Sequence, residues 1–419
     1  MKIMNLVWTI LIGFSILNCS SDEGSAPPPT TKEDVVQKDA AIIDLNDEKQ
    51  IIRGFGSSTA FRLDFPLSDT DMDILFGNNE GQLGFSIHRI RLVPDDNATD
   101  RQIELNHALG AKNRGAIVVA SPWSPPVRMK TNSNLIGGEL KEESYAEYAT
   151  YLNDFALYME NEGVPLYSIS VQNEPDIQVD YESCDWSPSQ MLNFIVDHGD
   201  KITATKLMAP ESFQFRKIMS DPILNNEVAA ANVDIIGGHI YGGGLTDYPL
   251  ARNKGKEVWM TEHLDTEITW DAVFATGKEI HDCMTIGNFS AYIWWYSKRF
   301  YGPLDEDGTV SKRGYIMSNY TKFIRPGYHR IEASNNPKSN IYVSAYYNGS
   351  KTVIVALNTG TASTKQQFAF ENGSVASVTP YVTSQSKNLE KEASIEVSAS
   401  INAFSYTLPA QSIVTFEQD

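Results

Sequence analysis

The chain has 419 residues, 42% hydrophobic and 11% aromatic, with a formal net charge of −19. Its length fits two or three domains, or one large barrel with an addition, and an acidic chain with no Lys/Arg-rich run excludes nucleic acid and bare anionic membrane surfaces as partners. The three cysteines and seven histidines form no set at metal-ligand spacing, so neither a metal nor another cofactor is expected.

At the N-terminus Lys2 precedes an apolar run, Leu6 to Leu17, that ends in Asn18-Cys19-Ser20-Ser21. The run is too short to cross a bilayer and fits the apolar part of an export signal. A cysteine closing it resembles a bacterial lipoprotein leader. That resemblance implies a signal over residues 1–19 and lipid on Cys19. It also implies an exported protein at the outer membrane, held by the lipid alone; Asp22-Glu23 favours the cell surface over the periplasmic face. Residues 20–40, with Pro27-Pro28-Pro29, read as a flexible linker. Export permits a disulfide between Cys184 and Cys283, but two isolated cysteines do not demand one, and buried free thiols are expected.

Ala41 to Leu45 reads as a strand ahead of eight further β-type runs. They are Ile51 to Ser57, Ser86 to Val93, Ala116 to Ser121, Leu166 to Asn173, Lys206 to Pro210, Val233 to Tyr241, Glu257 to Thr261 and Phe289 to Ser297. Amphipathic stretches separate them; in Glu143 to Glu162, Tyr145, Tyr148, Ala149, Leu152, Phe155, Ala156 and Met159 recur at helical spacing. Eightfold strand–helix alternation over ~250 residues predicts an α/β fold, a (β/α)8 TIM barrel over 41–327. A doubly wound sheet would usually bring a Gly-rich phosphate loop, and Arg53-Gly54-Phe55-Gly56-Ser57-Ser58 lacks its third glycine.

After Arg325-Pro326-Gly327 come short β-rich runs: Ile341 to Tyr347, Thr352 to Leu357, Gln367 to Glu371, Val375 to Val382, Ser394 to Val397 and Ser412 to Phe416. Turns such as Asn348-Gly349 and Asn372-Gly373 divide them. Residues 328–419 therefore read as a small all-β side domain, a β-sandwich, into which the strand near 41–46 could pair.

A parallel barrel keeps its chemistry at the C-terminal ends of its strands. The candidates there are Arg89 and Arg91 on the second strand, Trp123 after the third, Asn173 and Glu174 ending the fourth, and Glu211 after the fifth. His239 and Tyr241 end the sixth, Glu262 and His263 the seventh, and Trp294, Trp295, Arg299 and Tyr301 the eighth. Carboxylates, amide, phenol and indoles, without a serine or cysteine nucleophile motif, suit a sugar-cleaving site. Strands four and seven lie on opposite sides of a barrel, so Glu174 and Glu262 could sit ~5 Å apart, the separation for retaining hydrolysis. The proton donor of such a pair must be kept neutral by burial and a charged neighbour. One buried glutamate alone is often an ion-paired core residue; two at strand tips beside aromatics favour catalysis. Glu211, on what reads as a shorter strand, is the weaker rival, and His239 and His263 could meet in the site.

Ser-Pro-Trp-Ser-Pro-Pro (121–126), Ser-Val-Gln-Asn-Glu-Pro-Asp (170–176), Ala-Pro-Glu-Ser-Phe-Gln (209–214), Gly-His-Ile-Tyr-Gly (238–242), Trp-Met-Thr-Glu (259–262) and Trp-Trp-Tyr-Ser-Lys-Arg-Phe-Tyr-Gly-Pro (294–303) together resemble the bacterial xylanases of glycoside hydrolase family 30. The likeness is greatest to the glucuronoxylanase subfamily, subfamily 8. It implies Glu174 as acid/base, Glu262 as nucleophile, and Trp123, Asn173, Tyr241, Trp295 and Arg89 around the sugar. It also implies that Arg299 and Tyr301 hold the carboxylate of a glucuronic acid branch, which a guanidinium can grip as a fork. After Glu262 this chain carries a shorter loop, 263–270, with two extra acids.

The expected function is thus a retaining endo-β-1,4-xylanase acting on glucuronoxylan, working as a monomer. The alternatives are an endo-xylanase tolerant of other branches, a β-1,6-glucanase or glucosylceramidase-like enzyme, and a non-catalytic surface glycan-binding lipoprotein.

Overall fold

In the computed structural model, which describes residues 35–61, 66–94 and 97–419, strand β1 (Ala41–Ile51) stands outside the barrel. The expected export signal with its Cys19, and residues 20–34 of the expected linker, lie outside the described residues. Eight parallel strands follow: β2 (Gly54–Ser58), β3 (Ile87–Leu92), β4 (Ile117–Pro122), β5 (Ser168–Ser170), β6 (Lys206–Ser212), β7 (Ile235–His239), β8 (Glu257–His263) and β9 (Ala291–Tyr296). They pair in chain order and close β9 onto β2.

Helices cover the outside, so the strands are buried on both faces and read as continuous apolar runs. Helix Tyr145–Asn161 turns Tyr148, Ala149, Leu152, Ala156 and Met159 inward, as its spacing predicts. Two strand lengths differ from expectation. The fourth barrel strand, β5, keeps only three residues in its ladder, because the chain leaves the sheet early to carry Asn173 and Glu174 over the barrel mouth. The fifth, β6, extends to seven residues and includes Glu211.

Inside the barrel, Ile87, Val119, Met208, Ile235, Trp259, Ala291 and Ile293 form a closed apolar plug. Strand side chains repeat every two residues, so Arg89 on β3 and Ser121 on β4 project into the barrel one layer above Ile87 and Val119. On β8 the same alternation would send Glu262 outward. A register shift prevents this: Gly238 pairs with Met260, and the next pair is His239 with Glu262. Thr261 is the extra residue of a bulge, which re-aims the side chain that follows. Strand β6 shifts likewise between Pro210 and Ser212, with Glu211 as its extra residue.

The rest of the chain adds β10 (His329–Ala333), β11 (Ile341–Tyr347), β12 (Thr352–Asn358), β13 (Thr364–Glu371), β14 (Ser377–Thr383), β15 (Glu390–Lys391), β16 (Ile395–Glu396), β17 (Ala403–Leu408) and β18 (Ser412–Gln418). With β1 they form one ten-stranded sheet, in the order β15-β14-β18-β12-β11-β10-β1-β13-β17, with β16 beside β14. The sheet folds over on itself: Phe404, on its terminal strand β17, meets Phe416 of β18 at 5.2 Å. Strand β1 lies between β10 and β13, so the described N-terminal segment is woven into the C-terminal sheet. Asn348-Gly349 closes the β11–β12 hairpin, whereas Asn372-Gly373 leads from β13 to β14, which are not neighbours.

Residues 37–39 are tied to that sheet, since Gln37 donates its N–H to Gln367 and Gln366 donates to the Asp39 carbonyl. Barrel helix and sheet share one apolar core through Ile316, Leu357 and Ile413, and Asn319 bonds Thr383 and Thr415 across the joint. Cys184 and Cys283 are buried free thiols.

Candidate active site

The site is assembled around the Arg89 guanidinium. It donates to Glu262 Oε2 at 2.7 Å, Asn173 Oδ1 at 2.6 Å and Ser121 Oγ at 3.2 Å, and its Nη2 lies 3.1 Å from Glu211 Oε1. The Trp123 indole covers it at 4.6 Å. Groups from β4, β6 and β8 and from the segment after β5 thus converge on one buried cation of β3.

Glu262 accepts a second bond, at 2.9 Å, from the Tyr241 hydroxyl. Glu174 Oε1 lies 2.9 Å from His239 Nδ1, and its Oε2 accepts from the Tyr181 hydroxyl at 2.9 Å. One donor atom each from Glu174, His239 and Glu262 fall within 4.8 Å of one another. A divalent ion could span that distance, but Arg89 already supplies the cation on Glu262 and its charge opposes a second one.

Glu174 is held in left-handed backbone (φ 47°), as is Glu211 (φ 58°), a conformation costly for residues with a Cβ. The loops that impose it interlock. The Glu174 N–H donates to the Glu211 carbonyl and the Asn173 N–H to the Pro122 carbonyl. Asp176 accepts from the Ser212 hydroxyl and the Phe213 N–H.

Above these groups opens a cleft of about 460 Å3, lined by Phe61, Trp123, Glu174, Tyr181, Phe213, Tyr241, Glu262, Leu264, Trp295 and Tyr296. Trp123 and Trp295 sit 5.7 Å apart, and Phe213 stacks on Tyr241 at 5.2 Å. The structure therefore brings together Glu174, Glu262, Trp123, Tyr241 and Trp295, with Arg89 and Asn173 beneath them.

Other expected residues lie elsewhere. Arg299 pairs with Glu306 at 2.6 Å, and neither it nor Tyr301 lines the cleft; Tyr301 is buried, with its carbonyl accepting from Arg313. Trp294 faces away beneath the Arg313 guanidinium. His239 and His263 do not meet: His263 bonds Glu279 at 2.9 Å, and Tyr241 contacts both rings. Arg91 turns outward to Glu182, which anchors the loop bearing Tyr181. Sequence reading missed Phe61, Tyr181, Phe213, Leu264 and Tyr296. Phe213 had a signal, since it sits in the 209–214 motif; Tyr181 had none, because a loop delivers it.

Glucuronoxylanase XynC of Bacillus subtilis (strain 168) is 42% identical over 429 residues, covering 99% of this chain and 98% of that protein. The solved family 30 subfamily 8 xylanase Xyn30A from Clostridium acetobutylicum superimposes with a TM-score of 0.86 at 43% identity, covering 91% of this chain and 100% of that one. The chain belongs to glycoside hydrolase family 30. A second family 30 structure, an endoxylanase from Clostridium papyrosolvens C71, matches at 43% identity with a TM-score of 0.83 over 91% of this chain and 100% of that one. No family model matches the chain.

The charges of this family 30 site depart from the simple expectation of a neutral Glu174. Burial would raise Glu174, but the His239 bond and charge, the Tyr181 hydroxyl and Arg89 outweigh it and hold the carboxyl below its usual range. Burial would lower His239, but the charges of Glu262, Glu174 and Glu211 lift it to about 9. Burial raises Glu262 against the pull of His239 and Arg89. This balance favours His239 over Glu174 as the holder of the proton, with the two groups one hydrogen bond apart.

Arg89→Ala would leave Glu211 and Glu262 buried without their cation. The expected loss of stability is about 3–5 kcal/mol, checked by denaturant unfolding; a variant as stable as the parent would show that the carboxylates do not depend on Arg89.

Proposed function

We propose that the protein is a retaining endo-β-1,4-xylanase that cuts the backbone of glucuronoxylan. The observation that carries this reading is the approach of Glu174 and Glu262 to within 4.8 Å across one aromatic cleft. Retaining pairs stand about 5–5.5 Å apart, whereas inverting pairs are separated by about 6.5–9.5 Å to admit a water.

In this reading Glu262, oriented by Arg89 and Tyr241, attacks the anomeric carbon as the glycosidic bond breaks. Glu174 passes a proton to the departing oxygen, leaving a glycosyl ester on Glu262. Water then attacks the ester, its proton returns to Glu174, and Glu262 is released as carboxylate. The Glu174–His239 pair holds the proton that the first step consumes. Trp123, Trp295 and the Phe213–Tyr241 stack offer flat apolar faces to sugar rings, and Asn173 and Arg89 set the polar floor.

The substrate rests on kinship: the 42%-identical relative is named a glucuronoxylanase, and both 43%-identical structures are described as xylanases. Within that reading Arg299 and Tyr301 receive the branch carboxylate, and an incoming glucuronate must share or displace Glu306. The reading extends to a monomer and to export to the outer membrane, facing outward on a lipid at Cys19; the leader pattern of the sequence supports the export and the lipid.

Glu262→Gln is expected to abolish hydrolysis with the fold intact, and products of the parent enzyme should first appear as the β-anomer by proton NMR. Full activity in the variant, or an α-anomer, rules out the assignment. Arg299→Ala should lower kcat/KM on glucuronoxylan about 10–100-fold, the worth of a charge-assisted bond, with arabinoxylan little affected; equal losses on both remove Arg299 from branch recognition. Cys19→Ala should move the enzyme from the membrane fraction to the soluble one, and an unchanged distribution removes the anchor.

A further inference from the structure

Beneath the two carboxylates of the cleft lies a third. Glu211 is fully buried, sits at the β6 bulge in strained backbone, and has no part in the bond chemistry above. Neither of its oxygens makes a well-formed hydrogen bond. They meet cations instead: Arg89 Nη2 at 3.1 Å and His239 Nε2 at 3.8 Å from the same oxygen.

A buried anion is expensive, and an apolar residue at such a position is often no worse for stability. What an apolar residue cannot supply is negative charge on the Nε2 side of His239. The charged groups that face this ring are Arg89 on β3, Glu174 after β5, Glu211 on β6 and Glu262 on β8, with the Tyr241 phenol beside it and the Tyr181 phenol beyond Glu174. Three carboxylates against Arg89 alone leave a buried charge of −2. A doubly protonated His239 reduces it to −1.

We infer that Glu211 is a positioning residue of the hydrolytic reaction: it holds the His239 ring doubly protonated, so that Nδ1 presents a proton to Glu174. This rests on the reading of Glu174 as acid/base. The Glu174–His239 pair then carries one proton, which goes to the glycosidic oxygen in the first half of the reaction and is replaced from the attacking water in the second. Electrostatics agree with the geometry. Against burial, the Arg89 charge and then His239 hold Glu211 down to about 2, so it is anionic throughout the working range.

The sign of the effect follows. Neutralising a nearby anion weakens proton binding by every group in the cluster, and most for the ring it faces. The test is the pH dependence of kcat/KM on soluble xylan for the parent, Glu211→Gln and Glu211→Asp. Glu211→Gln should move the whole bell to lower pH, its alkaline limb by about one unit, and Glu211→Asp should stay near the parent. Limbs that do not move in Glu211→Gln, or an equal shift in Glu211→Asp, overturn the inference. Should Glu211→Gln fail to fold, the His239 imidazole nitrogens of the parent decide it by NMR. Two ring protons at pH 7 support the inference, and a neutral ring overturns it. Retained hydrolysis in Glu262→Gln would instead sink the double-displacement reading with Glu262 as nucleophile, and leaves the His239 measurement standing.

Discussion

A guanidinium sealed inside the barrel mouth is the interaction on which the site depends. Arg89 is always charged, and its planar fork reaches Glu262, Asn173, Ser121 and Glu211 at once. Without it, carboxylates from β6 and β8 would be forced together in a low-dielectric space, and their repulsion would drive proton uptake or pull the strands apart. With it, Glu262 is oriented and the amide of Asn173 has one defined rotamer. The Trp123 indole closes over the cation, so one side chain organises both the charge and the aromatic wall.

That arrangement is carried by local irregularity on a regular frame. The barrel repeats its strands with a common alternation, and the alternation alone would have turned Glu262 to the helices. Two bulges, at Glu211 and Thr261, break it where a functional side chain is needed. Two left-handed glutamates, 174 and 211, then lock to each other through their own backbones. Strain of this kind persists only where surrounding contacts over-determine it, and here Asp176, Pro122 and the anchored loop at 181–186 do so. The side sheet contributes from behind. By taking β1 into its middle and sharing an apolar core with the barrel helices, it holds rigid the frame whose rim carries the chemistry.

The barrel was legible because burial on both faces leaves an unbroken apolar run, and eight such runs separated by helical spacing admit few other folds. Strand ends ran long or short where a ladder gave way to a loop, as after Ser170. The side sheet was legible as β but not as one sheet, since β10 is short and largely polar and β13–β14 looks like a hairpin in sequence. Strand β17, where Phe404, Tyr406 and Leu408 alternate with Ser405 and Thr407, does carry a strand signal. In the site, Glu174, Glu262, Trp123, Tyr241 and Trp295 could be found because each sits at a strand end. Tyr181 could not, for its loop is placed by the ion pair of its neighbour Glu182 with Arg91, which comes from a distant part of the chain. The proton was assigned to Glu174 from its role alone, and the His239 ring pressed against it changes where that proton rests.

The sequence by itself determined the central strand-end groups of the barrel mouth, Glu174 and Glu262 among them, because strand order and burial follow from the apolar pattern; groups that loops deliver, such as Phe61 and Tyr181, it did not. Only the tertiary structure decided where those groups point and what charge they carry. Aim depends on bulges that shift a strand by one residue, and no local propensity announces them. Charge depends on which ions and dipoles are brought within a few ångströms by strands far apart in the chain. Glu211 illustrates both: it stands at the end of an apolar run like the other two, and a bulge with two buried cations beside it makes it a counter-charge.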